Sequence, residues 1–217
     1  MIESAFISNN YSFFNRELIR RKYWIKNKRD VEANKEWSLL SQKIKKKKKF
    51  SKVFLAYNFS KNLIYYHPGL SSEVYFDHPL RVCLLSTKLK KGNLPELMTL
   101  CLLHNVFETS NISEEIIKKL FGTKTCKFLK ILTVNRKKEN KKGYKKSYYK
   151  KIEKSHHYLP IVKILDKLDN LYLLKNNKNN KVKKNYIKEI ETYLMPLVRK
   201  KANNIYAHFE ELIQFSK

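Results

Sequence analysis

The chain has 217 residues, with 47 Lys or Arg against 19 Asp or Glu and a formal net charge of +28. Only 4 Gly and 5 Pro are present, and the apolar residues recur at helical intervals. We therefore predict one all-α domain whose core is large enough to fold without disulfide bonds or structural metals. No run of about eighteen apolar residues and no signal-peptide h-region is found, which argues against a membrane protein. Three widely spaced cysteines without paired spacing indicate a reduced, cytoplasmic protein.

The positive charge is concentrated in two segments. Residues 16–52 hold 15 Lys or Arg against 4 Asp or Glu, and residues 135–154 hold 10 against 2. Such segments can bind nucleic acid through its phosphates, can steer an anionic nucleotide, or can simply be solvated helix faces. Aromatic residues are interleaved with the charges in the first segment, which favours amphipathic helices over a disordered tail. The charge alone does not decide between these readings, and it carries no signal for an oligomeric state.

The predicted helices of the first half end at Pro and Gly. A helix is expected over residues 53–66, and His67-Pro68-Gly69 then breaks it. We predict that the next helix begins at Pro79, a favourable first position, with His78 at or just before its start. The following helix, 97–109, is apolar until its last turn, where helical spacing places His104 and Glu108 on one face.

The second half contains another apolar helix with embedded charge. After a helix capped by Ser113 and one over 126–134, residues 161–172 carry Lys163, Asp166 and Asn170 along one stripe. A buried carboxylate is costly unless it is paired or coordinates a metal. Residues 182–217 are expected to form one or two long helices with a break near Pro196.

Three candidate metal ligands therefore lie on three different helices. A helical bundle can bring His78, His104 and Asp166 to one point. Imidazole and carboxylate together suit Mn²⁺-type divalent metals. The alternative for each residue is a core or capping side chain satisfied by a neighbour.

The order of these motifs resembles the HD-domain metal-dependent phosphohydrolases, specifically the hydrolase domain of the RelA/SpoT alarmone family. The first similar motif is Tyr75-Phe76-Asp77-His78-Pro79, and the second is Leu102-Leu103-His104-Asn105-Val106-Phe107-Glu108-Thr109. Phe121-Gly122 with Leu132-Thr133, the helix 162–174 and the segment 191–197 follow in the family's order. The resemblance spans roughly residues 53–200 and implies an HD-domain helical bundle. We therefore divide the chain into a basic N-terminal helical extension (1–52), the HD domain (53–200) and a C-terminal helix (201–217).

The resemblance implies hydrolysis of the 3′-pyrophosphate of guanosine tetra- or pentaphosphate at a single Mn²⁺ or other divalent metal. By position, His78, His104 and Asp166 match three metal ligands, Glu108 matches the residue that orients or deprotonates the attacking water, and Lys163 and Asn170 match residues near the nucleotide. We add His67, upstream of the first motif, and Arg136, Tyr144 and Tyr148 of the basic connection as substrate-binding candidates.

The chain departs from the family pattern at three places. Asn105 replaces the defining aspartate; its amide oxygen can still ligate, so Asn105 remains a metal-ligand and catalytic candidate with one negative charge less. Thr109 replaces a second acid, and the loop before the first motif lacks the arginine that contacts the guanosine nucleotide. The leading hypothesis is an alarmone hydrolase; the alternatives are a catalytically silent domain that binds a nucleotide or metal as a sensor, and a basic nucleic-acid-binding helical protein.

Overall fold

The structure, a computed structural model, describes residues 28–67, 70–89 and 94–217. Within these ranges every regular element is helical, which confirms the prediction of an all-α fold. The α-helices are α1 (Val31–Ile44), α2 (Ser51–Lys61), α3 (Ser72–Ser86), α4 (Pro95–Leu103), α5 (Val106–Thr109), α6 (Glu114–Phe121), α7 (Thr123–Leu132), α8 (Tyr144–Glu153), α9 (Tyr158–Leu174), α10 (Asn180–Glu189), α11 (Met195–Lys201) and α12 (Tyr206–Ser216). Short 3₁₀ turns at Lys48–Phe50 and Asn203–Ile205 and a π turn at Ile190–Leu194 join them.

Helix α9 is the centre of the fold. It packs against α3, α4, α11 and α12, and 13 of its 17 residues are buried. A helix that is apolar on nearly every side is expected in the middle of a core. Three of its buried residues nevertheless carry charge, Lys163, Asp166 and Asp169. Each of these needs a partner, because an unpaired buried charge costs several kcal/mol.

Helix α3 begins at Ser72, about two turns before the predicted position, so the prediction of a helix start at Pro79 is wrong. Ser71 caps the helix, and Pro79 lies inside it. A proline inside a helix costs about 3 kcal/mol through its missing N–H and its ring clash. Tyr75 and Phe76, which are only 6% and 1% exposed, offset this cost, since each fully buried apolar side chain contributes about 1.5–3 kcal/mol. His78 consequently lies in the middle of α3 and not at its end.

The segment 97–109 is two helices and not the single helix predicted from its spacing. Helix α4 ends at Leu103, and Asn105, with φ −102° and ψ 4°, precedes the short helix α5. The chain changes direction at this point, so His104 and Glu108 do not lie on one continuous helix face.

The core extends beyond both ends of the predicted HD domain. In α1, Ala33, Trp37 and Ile44 are buried, and Trp37 stacks on Tyr57 of α2 with ring centroids 4.4 Å apart. Buried residues of α12 join the same core. The boundaries at 52/53 and 200/201 stay predictions, and the packed core crosses both of them.

Two sequence-based expectations lie partly outside the described residues: positions 16–27 of the basic segment predicted to form amphipathic helices, and positions 68–69 of the predicted helix break. The run 45–49 is exposed, as expected of a solvated helix end. The regular α-helix is interrupted close to Pro196: the π turn Ile190–Leu194 comes before α11, and Pro196 lies in the first turn of α11, where its missing N–H is tolerated. The chain leaves the helical path a second time at Ala202. Among the described helices, none is both long enough and apolar enough to span a bilayer.

Candidate metal centre

Three side chains from three helical segments converge at the centre of the molecule. The Nε2 atoms of His78 and His104 lie 3.1 Å apart, and Asp166 Oδ1 lies 3.3 Å from the first and 3.6 Å from the second. All three residues are buried. The structure therefore brings together the three ligand candidates that the sequence singled out.

The hydrogen bonds behind both imidazoles direct their Nε2 lone pairs to this point. His104 Nδ1 lies 2.7 Å from the carbonyl oxygen of Cys101, and a carbonyl only accepts, so Nδ1 carries the proton. His78 Nδ1 lies 2.8 Å from Asp169 Oδ2, which fixes the same tautomer. Two lone pairs and a carboxylate oxygen facing one another repel unless a positive charge lies between them.

The dimensions of the cluster fit a divalent cation. A circle through three atoms at these separations has a radius of about 1.9 Å, and cations of this class bind imidazole nitrogen and carboxylate oxygen at about 2.0–2.2 Å. His78, His104 and Asp166 could therefore hold one such cation together. Two imidazoles and one carboxylate, each backed by a second hydrogen bond, form a typical divalent-metal site.

A cavity of about 980 Å³ opens beside the cluster. His78, Asp166, Asn105 and Glu108 line it. All six residues predicted to bind substrate also line it: His67, Arg136, Tyr144, Tyr148, Lys163 and Asn170. The cavity is at the large end of the range that accommodates small-molecule ligands.

Comparisons with known proteins bear on the fold. No family model and no curated protein sequence matches the chain. Among solved structures, the fold is similar to a metazoan ortholog of SpoT that hydrolyzes ppGpp and plays a role in starvation responses, with a TM-score of 0.61 and 21% sequence identity over 76% of this chain and 94% of that one. The chain has an HD-domain fold. At this identity the likeness establishes the fold, and the activity must be argued from the site.

In this HD-domain fold Asp166 is held by a buried ion pair. Lys163 Nζ donates to Asp166 Oδ2 at 2.9 Å, and Asn170 Nδ2 donates to Oδ1 at 2.9 Å. Burial raises the pKa of Asp166, but the Lys163 cation and the two imidazoles outweigh it and hold the pKa well below its usual range. Burial likewise lowers the pKa of Lys163, but Asp166 outweighs it and holds the pKa well above its usual range. Both groups are therefore charged at neutral pH.

The electrostatics at His78 also favour a positive charge. Burial lowers the pKa of His78, but its hydrogen bonds to Asp166 and Asp169 outweigh that effect and raise the pKa above the ordinary value. A site that attracts a proton in this way also attracts a metal cation that competes for the same nitrogen.

Asn105 and Glu108 lie at the cavity wall with partners of their own. Asn105 Nδ2 donates to the hydroxyl of Tyr75 at 2.9 Å, so this contact does not use the amide oxygen, which is the atom that could bind a cation. Glu108 accepts from the backbone N–H of Val134 at 2.8 Å and from Arg136 at 3.0 Å. Their assigned roles, ligation by Asn105 and orientation of water by Glu108, stay predictions.

The sequence analysis did not identify several charged residues that contact the ligand candidates or line the cavity. Asp169 is fully buried and bonds both His78 and Arg81. The signal that could have found it is the one that identified Asp166: a carboxylate among buried leucines of an apolar helix. Lys167 and Glu189, which form a 2.8 Å ion pair at the cavity wall, were also missed.

The remaining histidines take structural positions. His208 is 2% exposed and its Nε2 lies 2.8 Å from the Tyr172 hydroxyl. His156 and His157 pack on each other and on Phe128 and Tyr158.

Proposed function

We propose that the protein is a divalent-metal-dependent phosphohydrolase that acts on a nucleotide pyrophosphate, with guanosine 3′,5′-bis(diphosphate) as the substrate and Mn²⁺ as the metal. One observation carries the proposal: His78, His104 and Asp166 converge within 4.8 Å at the wall of a cavity large enough for a nucleotide. The shared fold with a protein that hydrolyzes ppGpp supports the choice of substrate. A divalent cation at such a site supplies Lewis-acid polarisation of a phosphoryl oxygen and a lowered pKa of water.

Glu108 is suited to orient the attacking water. Its carboxylate accepts one hydrogen bond from Val134 and one from Arg136, and a carboxylate has about four acceptor positions. Two positions therefore remain for a water proton at the cavity wall. The two existing donors fix the orientation of the carboxylate, so it requires no rearrangement to accept that proton.

The charges and rings of the cavity suit a phosphorylated nucleotide. Its lining contains six cations against four carboxylates, and five tyrosines. Lys163 lies beside the ligand cluster, where its ammonium can bind a phosphoryl oxygen while it remains paired with Asp166. The tyrosine rings offer surfaces on which a base can stack. The excess of positive charge on the whole chain favours the approach of an anion.

Release of pyrophosphate from ppGpp by the purified protein with Mn²⁺ is the direct test. We expect release by the wild type, and loss of release in His104→Gln and Glu108→Gln. His208→Gln is the matched control, because His208 is an equally buried histidine outside the cavity. Absence of release from every nucleotide tested, in protein shown to bind the metal, contradicts the proposal.

A second function, nucleotide sensing without turnover, is favoured by one observation. Asn105 contributes no negative charge to the cluster, and its amide nitrogen is bonded to Tyr75. A site with a single carboxylate ligand, already paired with Lys163, binds a divalent cation less tightly and so favours turnover less. Nucleotide binding by calorimetry without any product would favour this function over hydrolysis.

A further inference from the structure

A line of buried charged groups connects the beginning of α1 with the metal-ligand candidate His78. We call this line the charge network; its members are Arg29, Asp30, Asp77, Arg81 and Asp169. The four residues other than Arg29 are at most 4% exposed, and the side chain of Arg29 is 34% exposed. The network comes from three parts of the chain: the segment before α1, helix α3 and helix α9.

The inner end of the charge network holds the His78 ring. Asp169 Oδ2 lies 2.8 Å from His78 Nδ1. Arg81 holds the same carboxylate in place with Nε 3.0 Å from Oδ1 and Nη2 3.0 Å from Oδ2. This two-pronged contact fixes the plane of the Asp169 carboxylate, and with it the direction in which His78 points Nε2.

The outer end of the charge network belongs to the segment before α1. Asp30 lies 3.5 Å from Arg81, caps α1 through Ala33 N, and its own N–H donates to Asp77 Oδ2 at 2.5 Å. Arg29 Nε lies 3.1 Å from both oxygens of Asp77. Since Asp77 immediately precedes His78 in α3, residues 28–34, which run into the first turn of α1, contact α3 at the residue next to the ligand candidate.

This arrangement is costly if it serves folding alone. Buried ion pairs add little net stability, and apolar residues of similar size often stabilise a core as well or better. At its inner end the network places the Asp169 carboxylate on the side of the imidazole opposite to the cluster, where it bonds His78 Nδ1. This carboxylate is itself held by Arg81, so it acts as a fixed hydrogen-bond partner of His78 in a site where Asn105 contributes no charge.

We propose that the charge network positions the His78 imidazole, and that the segment 28–34 thereby sets the cation affinity of the centre. The inference rests on the proposed metal site, although it requires no particular substrate. Asp169 and Arg81 are positioning residues in contact with the ligand or its partner. Arg29 and Asp30 act through them, so the partly exposed Arg29 side chain influences a buried site.

The dissociation constant of Mn²⁺ for the full chain, measured by calorimetry, tests this inference without any assay of activity. We expect Asp169→Asn to weaken Mn²⁺ binding by about 10–100-fold, as is typical for the partners of metal-bound histidines. Arg29→Gln should weaken binding in the same direction by a smaller factor. Because Arg29 is partly exposed, this variant remains informative if Asp169→Asn does not fold.

The matched control is Glu36→Gln. Glu36 on α1 forms an ion pair with Lys88, just after α3, so the control removes a charge contact between the same two regions without touching the charge network. The d–d absorption of bound Co²⁺ adds a readout of ligand geometry, and we expect it to shift in Arg29→Gln and not in Glu36→Gln. A change in thermal stability alone would move neither quantity.

Three outcomes are separated by this design. In the first outcome, Arg29→Gln and a folded Asp169→Asn bind Mn²⁺ with the wild-type dissociation constant, and their Co²⁺ spectra are unchanged. This result overturns the inference but does not contradict the proposed metal centre. Failure of the wild type to bind Mn²⁺ overturns the inference together with the proposed function. Wild-type metal binding without hydrolysis defeats the proposed function, while weaker binding by the variants still supports the positioning role.

Discussion

Replacement of Lys163 by methionine will destabilise the metal-free protein and make it more responsive to added Mn²⁺ than the wild type. Lys163 is 4% exposed and its ammonium lies 2.9 Å from Asp166 Oδ2. The substitution keeps the apolar stem and removes the only feature that matters here, the positive charge beside the carboxylate. Asp166 then depends on a metal cation for the charge that Lys163 supplied.

The expected loss of stability follows from the burial of the pair. Removal of one partner from a buried ion pair costs about 3–5 kcal/mol. For a chain of this size, 1 kcal/mol corresponds to about 2–4 °C in Tm, so the metal-free variant should melt about 6–20 °C below the wild type. Mn²⁺ at a hundred times its Kd stabilises a folded protein by about 2.7 kcal/mol. In Lys163→Met the gain should be larger, because the cation also neutralises the unpaired carboxylate.

Melting curves recorded by circular dichroism at one Mn²⁺ concentration, and with chelator, give the comparison. Lys167→Met is the control: Lys167 lies one turn further along α9 and pairs with Glu189, which Lys145 also contacts. Its Tm should respond to Mn²⁺ as the wild type does. If Mn²⁺ raises the Tm of Lys163→Met by no more than that of the wild type, Asp166 is not a ligand of the bound metal and the reasoning fails.

Three further results are expected. Burial lowers the pKa of His208 to about 4, below its ordinary value of about 6.5, so the unfolded state binds a proton that the folded state excludes. The free energy of unfolding should therefore fall by up to about 3 kcal/mol as the pH is lowered from 6.5 to 4. His208→Gln, which retains a partner for Tyr172, should remove that pH dependence in denaturant titrations. Asn105→Asp restores a carboxylate at the cluster and should tighten Mn²⁺ binding by on the order of tenfold in calorimetry; unchanged affinity would show that position 105 is not a ligand. Trp37→Ala removes the ring that stacks on Tyr57 and should cost about 3–5 kcal/mol in urea unfolding, whereas a cost below about 1 kcal/mol would indicate that α1 is not part of the core.

The metal-ligand candidates were predictable because each is a local anomaly. His104 and Asp166 are polar residues within strongly apolar helices, and burial of such groups requires a partner wherever the helix packs. Helix type and order were predictable for the same local reason, since periodicity and scarce Gly and Pro are properties of short windows. Prediction that the metal-ligand candidates converge also depended on the order of the motifs, because spacing along the chain does not by itself specify how three helices pack.

The features that sequence missed depend on distant partners. Pro79 indicates a helix start by local preference, but the burial of Tyr75 and Phe76 extends α3 through it. The carboxylate of Asp169 is explained by Arg81, which lies 88 positions away. The first described residues belong to the basic segment that was predicted to form an N-terminal extension outside the HD domain. Arg29 nevertheless forms an ion pair with Asp77 of α3 in the central bundle. None of these pairings leaves a pattern at short sequence separation.

Anomalous X-ray diffraction from crystals grown with Mn²⁺, recorded at the manganese absorption edge, tests the central claim most directly. We expect one strong anomalous peak within about 2.0–2.3 Å of Nε2 of His78, Nε2 of His104 and Oδ1 of Asp166. A peak bound to other residues, or no peak in protein that binds one equivalent of Mn²⁺ in solution, would contradict the existence of the metal centre described above.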